Sequence, residues 1–145
     1  MPKGRGLTSS ALPAGGVVLV QPVGTTMYRG STILTATIAN GAALSAAFDM
    51  SSYAGGMLHM PAGWTAACVG FQISPTVGGT YQPLYEGDGT LAQIENDDTV
   101  AIAGLSYALP AEMFGVQWVK LWSENGAGVG VNQGGDRVFN IDLKA

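Results

Sequence analysis

The chain has 145 residues, enough for one domain with its own core and too few for two comfortable ones. Charged side chains make up 11% of it, against about 25% in an average soluble protein, and the formal net charge is −4. Six scattered Lys and Arg residues argue against the gathered basic face of a nucleic-acid surface, and no run approaches the roughly 18 apolar residues of a membrane helix.

Residues 1–30 carry Pro2, Pro13 and Pro22, several glycines and one apolar patch, Val17, Val18, Leu19 and Val20. This is not the pattern of a core element. It predicts an extended N-terminal arm, held by a neighbouring subunit or partner, ahead of a domain spanning 31–145. Lys3 and Arg5 are not followed by a continuous apolar segment, so a secretion signal fits poorly. The expectation is a chain made and used without export.

From Ser31 onward the texture is short strands and turns. Residues 31–39 are rich in Thr and Ile, and Leu44, Ala46, Phe48 and Met50 then alternate with Ser45, Ala47, Asp49 and Ser51. Turns are expected at Asn40-Gly41 and Gly55-Gly56, with a strand at 57–60. Residues 60–84 read as one β-hairpin that builds a surface. In it Val69, Phe71 and Ile73 alternate with Cys68, Gly70, Gln72 and Ser74, Pro75 stops the strand, and Val77-Gly78-Gly79-Thr80 is expected to supply positive-φ residues for the reversal. Tyr81 to Leu84 then returns. Further strands are expected at 90–94, 99–103, 116–123 and 137–143, and a helical turn at 110–114. No repeat or heptad period interrupts them. Roughly eight strands with no long amphipathic helix predict an all-β fold, an antiparallel β-sandwich of jelly-roll type.

Few residues offer chemistry. His59 is the sole histidine and the only natural general base, yet there is no G-x-S-x-G elbow and no carboxylate at a triad spacing. A structural or surface histidine is expected, and no enzyme. Cys68 is the single cysteine and reads as a small strand residue. One His and one Cys are too few for zinc. Glu95-Asn96-Asp97-Asp98 gathers oxygen donors, but adjacent turn residues rarely converge on one ion, so a solvated turn is expected and cation binding there is left open. Glu86-Gly87-Asp88-Gly89 reads as a loop, and no cofactor is expected.

The aromatic residues raise a different class of function. Trp64, Trp118 and Trp122, with Tyr81 and Tyr85, could stack on sugar rings. In 116–122, Trp118, Lys120 and Trp122 share one face and Val119 and Leu121 the other. If the aliphatic face is core, two tryptophans flank a lysine outside, as a sugar platform or a subunit contact. The low charge favours the subunit contact. The alternative, a buried tryptophan face, stays open. The candidate partner-binding residues are therefore Val17, Val18, Leu19, Val20, Trp64, Trp118 and Trp122.

Several segments carry a resemblance. They are Ala39-Asn40-Gly41-Ala42-Ala43-Leu44-Ser45, Met60-Pro61-Ala62-Gly63-Trp64-Thr65, Phe71-Gln72-Ile73-Ser74 with Tyr81-Gln82-Pro83-Leu84, and Val131-Asn132-Gln133 with Asp136-Arg137. Across roughly 31–143 the chain resembles the head decoration, or cement, proteins of tailed bacteriophages. Similar sandwiches occur in phage tail and fibre proteins. The resemblance implies a sandwich or jelly roll that assembles, often as a homotrimer, on the major capsid protein at the outer surface of the virion, after synthesis in the host cytoplasm. It implies no active site. Alternatives are a tail, neck or head-fibre component, or a carbohydrate-binding module.

Overall fold

The alternating stretches become strands wherever a partner covers their apolar face. In the computed structural model, which describes residues 30–145, the strands run β1 (Ser31–Ile38), β2 (Phe48–Asp49), β3 (Gly55–His59), β4 (Cys68–Ser74), β5 (Gln82–Pro83), β6 (Gln93–Ile94), β7 (Ser106–Ala108), β8 (Trp118–Glu124) and β9 (Arg137–Lys144). The predicted arm, with Val17, Val18, Leu19 and Val20, lies outside the described residues.

Two antiparallel sheets result, β1-β9-β3-β7 and β2-β8-β4-β5, with β6 beside β4 on the same edge as β5. The chain crosses between sheets at every connection except β4 to β5 to β6, which is the wrapping of a jelly roll. The two ends of the domain close it: β1 pairs with β9 from Ser31↔Lys144 to Ile38↔Arg137.

The inward faces supply the core. Ala36, Ile38, Leu58, Phe139, Ile141 and Leu143 from one sheet meet Val69, Phe71, Ile94, Val119 and Leu121 from the other, while Met50, Met60 and Met113 fill between them. Each large apolar side chain buried in this way contributes about 1.5–3 kcal/mol. Met113 comes from a short 3-10 helix, Ala111–Gly115, that follows Pro110 where the helical turn was expected.

Several expectations need correction. The 60–84 segment does not build an exposed surface, because β4 lies inside its sheet and Cys68, Val69, Gly70 and Phe71 are all buried. Its reversal uses no positive φ at Gly78 or Gly79. The loop is long enough to turn with ordinary backbone, held by Ser74 Oγ donating to Thr76 O (2.7 Å) and by Gly79 N donating to Thr76 O (3.1 Å). Gly55 and Gly56 open β3 rather than form a turn. Residues 99–103 are not a strand: Ala101 N donates to Ala67 O, Ala101 is buried, and Val100 and Ile102 face outward. Of the 90–94 stretch only Gln93–Ile94 forms a strand, with Leu91 in an isolated bridge to Tyr85, and the short β7 was not expected.

A buried polar network ties the last loop to the Trp64 region. Gln133, 1% exposed, accepts from Thr65 N (2.8 Å) and Arg137 Nε (3.1 Å) through Oε1 and donates to Thr65 O (3.0 Å) and Ser123 Oγ (2.8 Å) through Nε2. Replacing one member strands the others, and a buried unsatisfied group costs about 1–3 kcal/mol. Gln133→Leu is therefore expected to lower stability by about 3 kcal/mol in urea unfolding. A loss under about 0.5 kcal/mol would show the network to be idle.

Two carboxylates brace turns, the half-buried Asp49 and the exposed Asp88. Asp49 accepts from Ser51 N (2.8 Å), and Asp88 accepts from Thr90 Oγ1 (2.7 Å) and N (2.9 Å). Hydrogen bonds from Ser51, backbone first, hold the Asp49 carboxyl below its usual value, and those from the Thr90 side chain and then backbone do the same for Asp88. Depressed folded values mean that this bracing is present at neutral pH and is lost as pH falls through the folded carboxyl values.

Candidate functional site

The outer face of the β1-β9-β3-β7 sheet is set by the same alternation that builds the core. Inward residues leave Ser31, Ile33, Thr35 and Thr37 of β1 facing outward beside Val138, Asn140, Asp142 and Lys144 of β9, then Met57 and His59 of β3. Ile33 is 68% exposed, Val138 48% and Met57 38%. The charges on this face nearly cancel, since Lys144 Nζ lies 3.7 Å from Asp142 Oδ1. β1 is an edge strand of eight residues, with neither Pro nor charge along it. Natural sheets blunt such edges with lysine, proline or a cover; among the described residues β1 has neither lysine nor proline and a strand neighbour on one side only, which makes this face a candidate contact surface.

His59 sits on this face, with Nδ1 2.6 Å from Ser106 Oγ. A serine–histidine pair invites a hydrolase reading. Among the described residues, however, His59 makes no ion pair with a carboxylate, and it is absent from the lining of four clefts, those at Ile73 and Gln117, Glu86 and Glu112, Cys68 and Ala127, and Leu34 and Tyr53. Among the described residues no carboxylate is paired with His59 to orient it as a base.

The tryptophans are dispersed. Val119 and Leu121 are fully buried, so the aliphatic face of β8 is the core and Trp118, Lys120 and Trp122 point outward from the sheet. Trp122 is nevertheless only 6% exposed: its ring lies near Gly70, Gly128 and Gly130, beneath the loop after β8. Trp64 packs edge-on to Phe139, with centroids 5.4 Å apart, and donates Nε1–H to Ala67 O (2.9 Å). Only Trp118 is half-exposed on the outer face, near Lys120, whose Nζ rests 4.5 Å above the Tyr81 ring. The expected pair of exposed tryptophans flanking a lysine does not form, because small residues let the loop close over Trp122.

Electrostatics are sparse as well. The basic residues among those described are Lys120 on Tyr81, Arg137 in the Gln133 network and Lys144 beside Asp142, so no basic patch forms there. Burial pushes the Cys68 thiol up to about 11, with the charges of Glu124 and Glu95 adding to the effect. The thiol stays protonated at neutral pH. Asp97 and Asp98 take left-handed conformations (φ 54° and 61°) in a tight turn closed by Asn96 and Thr99, so the 95–98 run is a reversal, as expected.

The candidate contact feature that sequence reasoning missed is the outer face of the first sheet. Thr35, Thr37 and Asn140 carry no chemical signature, and their proximity depends on pairing two strands about a hundred residues apart, from Ser31↔Lys144 to Ile38↔Arg137. Compared with known proteins, the chain matches no family model, no curated protein and no solved structure.

Proposed function

We propose that this chain is a non-enzymatic structural protein of a tailed-phage virion that binds the outer surface of the capsid and reinforces the shell. Its partners in this reading are the major capsid protein and other copies of itself, as a trimer. The observation that carries the proposal is the charge-poor outer face of the β1-β9-β3-β7 sheet, with Ile33, Met57 and Val138 exposed beside β1, which among the described residues has a strand neighbour on one side only. A protein that bridges subunits must bury surface at more than one contact, and such a face supplies one of them. Residues 1–30 would act as an arm that adds a second, raising avidity over either contact alone. Binding to the assembled shell and not to its free subunits would stabilise the shell by mass action. A tail, neck or head-fibre role uses the same face and is the rival reading.

The test is co-sedimentation of the full chain with expanded heads that lack it. The full chain is expected to saturate the heads and raise the temperature at which they release DNA. Thr35→Lys with Val138→Lys should cut binding at least about tenfold while leaving the melting temperature nearly unchanged, since both positions are exposed. Deleting residues 1–28 should likewise weaken attachment more than folding. Absence of any binding to heads sinks the capsid reading, and unchanged binding by the double variant moves the contact elsewhere on the molecule.

A further inference from the structure

An asparagine followed by glycine readily loses its side-chain amide, because the glycine nitrogen can close a five-membered ring on the asparagine Cγ with no side chain in the way. The chain holds two such pairs, Asn40-Gly41 and Asn125-Gly126. All four residues are exposed, and the fold treats the two pairs differently.

Asn125 opens the loop that follows β8 and returns through the bridge of Glu124 to Gly130. Asn125 N donates to Val129 O (3.0 Å) and Val131 N to Ser123 O (2.8 Å), so the loop is closed at its base. Inside it, Asn125 Oδ1 accepts from Ala127 N (2.9 Å) and Val129 N (3.2 Å). Both partners are donors, which sets the oxygen of the amide on them and not the nitrogen. Two N–H groups on one carbonyl oxygen draw electrons from its carbon and stand ready for the negative charge that attack would place there. Gly126 N, the attacking atom, donates to Glu124 Oε1 (2.7 Å), within the reach a general base needs. Glu124 itself is fully buried, and its other oxygen has no donor among the described residues.

Asn40-Gly41 has the same sequence without these groups. Gly41 N donates to the backbone carbonyl of Gln133 (2.8 Å), a neutral acceptor that takes no proton. The carboxylate at that turn, Asp136, accepts from Asn40 N (2.9 Å) and not from Gly41.

We propose that Asn125 is a self-modification site, at which the fold promotes loss of the amide with Glu124 as the general base. Glu124 takes the proton of Gly126 N as that nitrogen bonds to Asn125 Cγ, and the charge on Oδ1 is held by the Ala127 and Val129 N–H groups. The Cγ–Nδ2 bond then breaks, Glu124 returns the proton to the leaving nitrogen, and ammonia departs from a succinimide. Solvent water opens the imide at either carbonyl and leaves aspartate or isoaspartate. Asn125, Gly126 and Ala127 are exposed, so water reaches the ring. The isoaspartate form lengthens the backbone of a loop that lies over Trp122, where a Cβ on Gly128 would come within 3.8 Å of the indole. The loop belongs to the sheet opposite the proposed capsid contact and does not depend on that reading.

The full chain is aged at neutral pH beside the same chain unfolded in guanidinium chloride, and the amides of both Asn-Gly pairs are followed by peptide mass spectrometry. Asn125 is expected to lose its amide at least about tenfold faster in the folded chain than in the unfolded one, and Asn40 more slowly. Glu124→Gln keeps an oxygen for the Gly126 and Gly128 amides but cannot take a proton, so it should bring Asn125 down to its unfolded rate or below. Should that variant fail to fold, the comparison of folded with unfolded parent chain decides alone. A folded Asn125 no faster than the unfolded one, or a Glu124→Gln chain as fast as its parent or faster, overturns the proposal and makes the Glu124 contact a guard on Gly126 N.

Discussion

Replacing Gly56 with alanine is expected to unfold the domain roughly 10 °C earlier, a loss of about 3 kcal/mol. Gly56 sits in β3 opposite Leu143, where the sheet brings the β9 backbone against it. A Cβ built there would fall inside the carbonyl oxygen of Asp142 and lie 3.0 Å from Asp142 C and 3.1 Å from Leu143 Cα. All three are backbone atoms of a central strand, so no rotamer change relieves the overlap. The β3–β9 pairing has to open, and with it the seam that holds β7 to the rest of its sheet. Gly78→Ala is the control: its Cβ would meet nothing within 4 Å and its φ is not positive, so it should shift stability by no more than about 0.5 kcal/mol. Thermal unfolding of the two variants side by side checks the assignment. Equal melting temperatures would mean that β3 does not pair with β9 in this register.

Truncating Phe139 to alanine is expected to cost about 3–5 kcal/mol, a large share of the 5–15 kcal/mol typical of a domain. Phe139 is fully buried in β9 and is the ring against which Trp64 packs at an interplanar angle of 79°. Both the transfer of the ring and the cavity it leaves contribute. Because Trp64 loses its edge contact, its fluorescence should shift to the red in the folded variant. A variant within about 1 kcal/mol of the parent, with Trp64 emission unmoved, would separate Trp64 from the core and return it to the list of residues free to meet a partner.

The long strands were legible because alternation over seven or eight residues has one strong explanation. In β4, β8 and β9 the apolar residues recur every second position, and burial of one face against another sheet rewards nothing else. The segments β2, β5, β6 and β7 hold two or three residues each, too few to show a period, and they exist because a neighbour offers its edge. The reverse error at 99–103 has the same origin. Val100, Ala101 and Ile102 have strand propensity, but no free edge reaches them, so they run as a loop that sends only Ala101 into the core.

The tryptophans show the limit for function. That Trp118 and Trp122 share one face of β8 followed from spacing, whereas which face is core came from burial of Val119 and Leu121, and the cover over Trp122 comes from Gly128 and Gly130 in a loop whose path the alternation does not encode. The close packing of Gly70 against Trp122 and Glu124 is more remote still, since it arises only through the register of β4 with β8.

An all-β sandwich, its long strands and which residues of each share a face could be read along the chain, because side-chain alternation acts locally. Pairing between distant strands set the order β1-β9-β3-β7, which face of β8 is core, and the charge-poor face made by joining both ends of the domain. Those depend on register between distant strands, and register is set by the whole core at once, where a shift of one residue would turn every buried side chain outward.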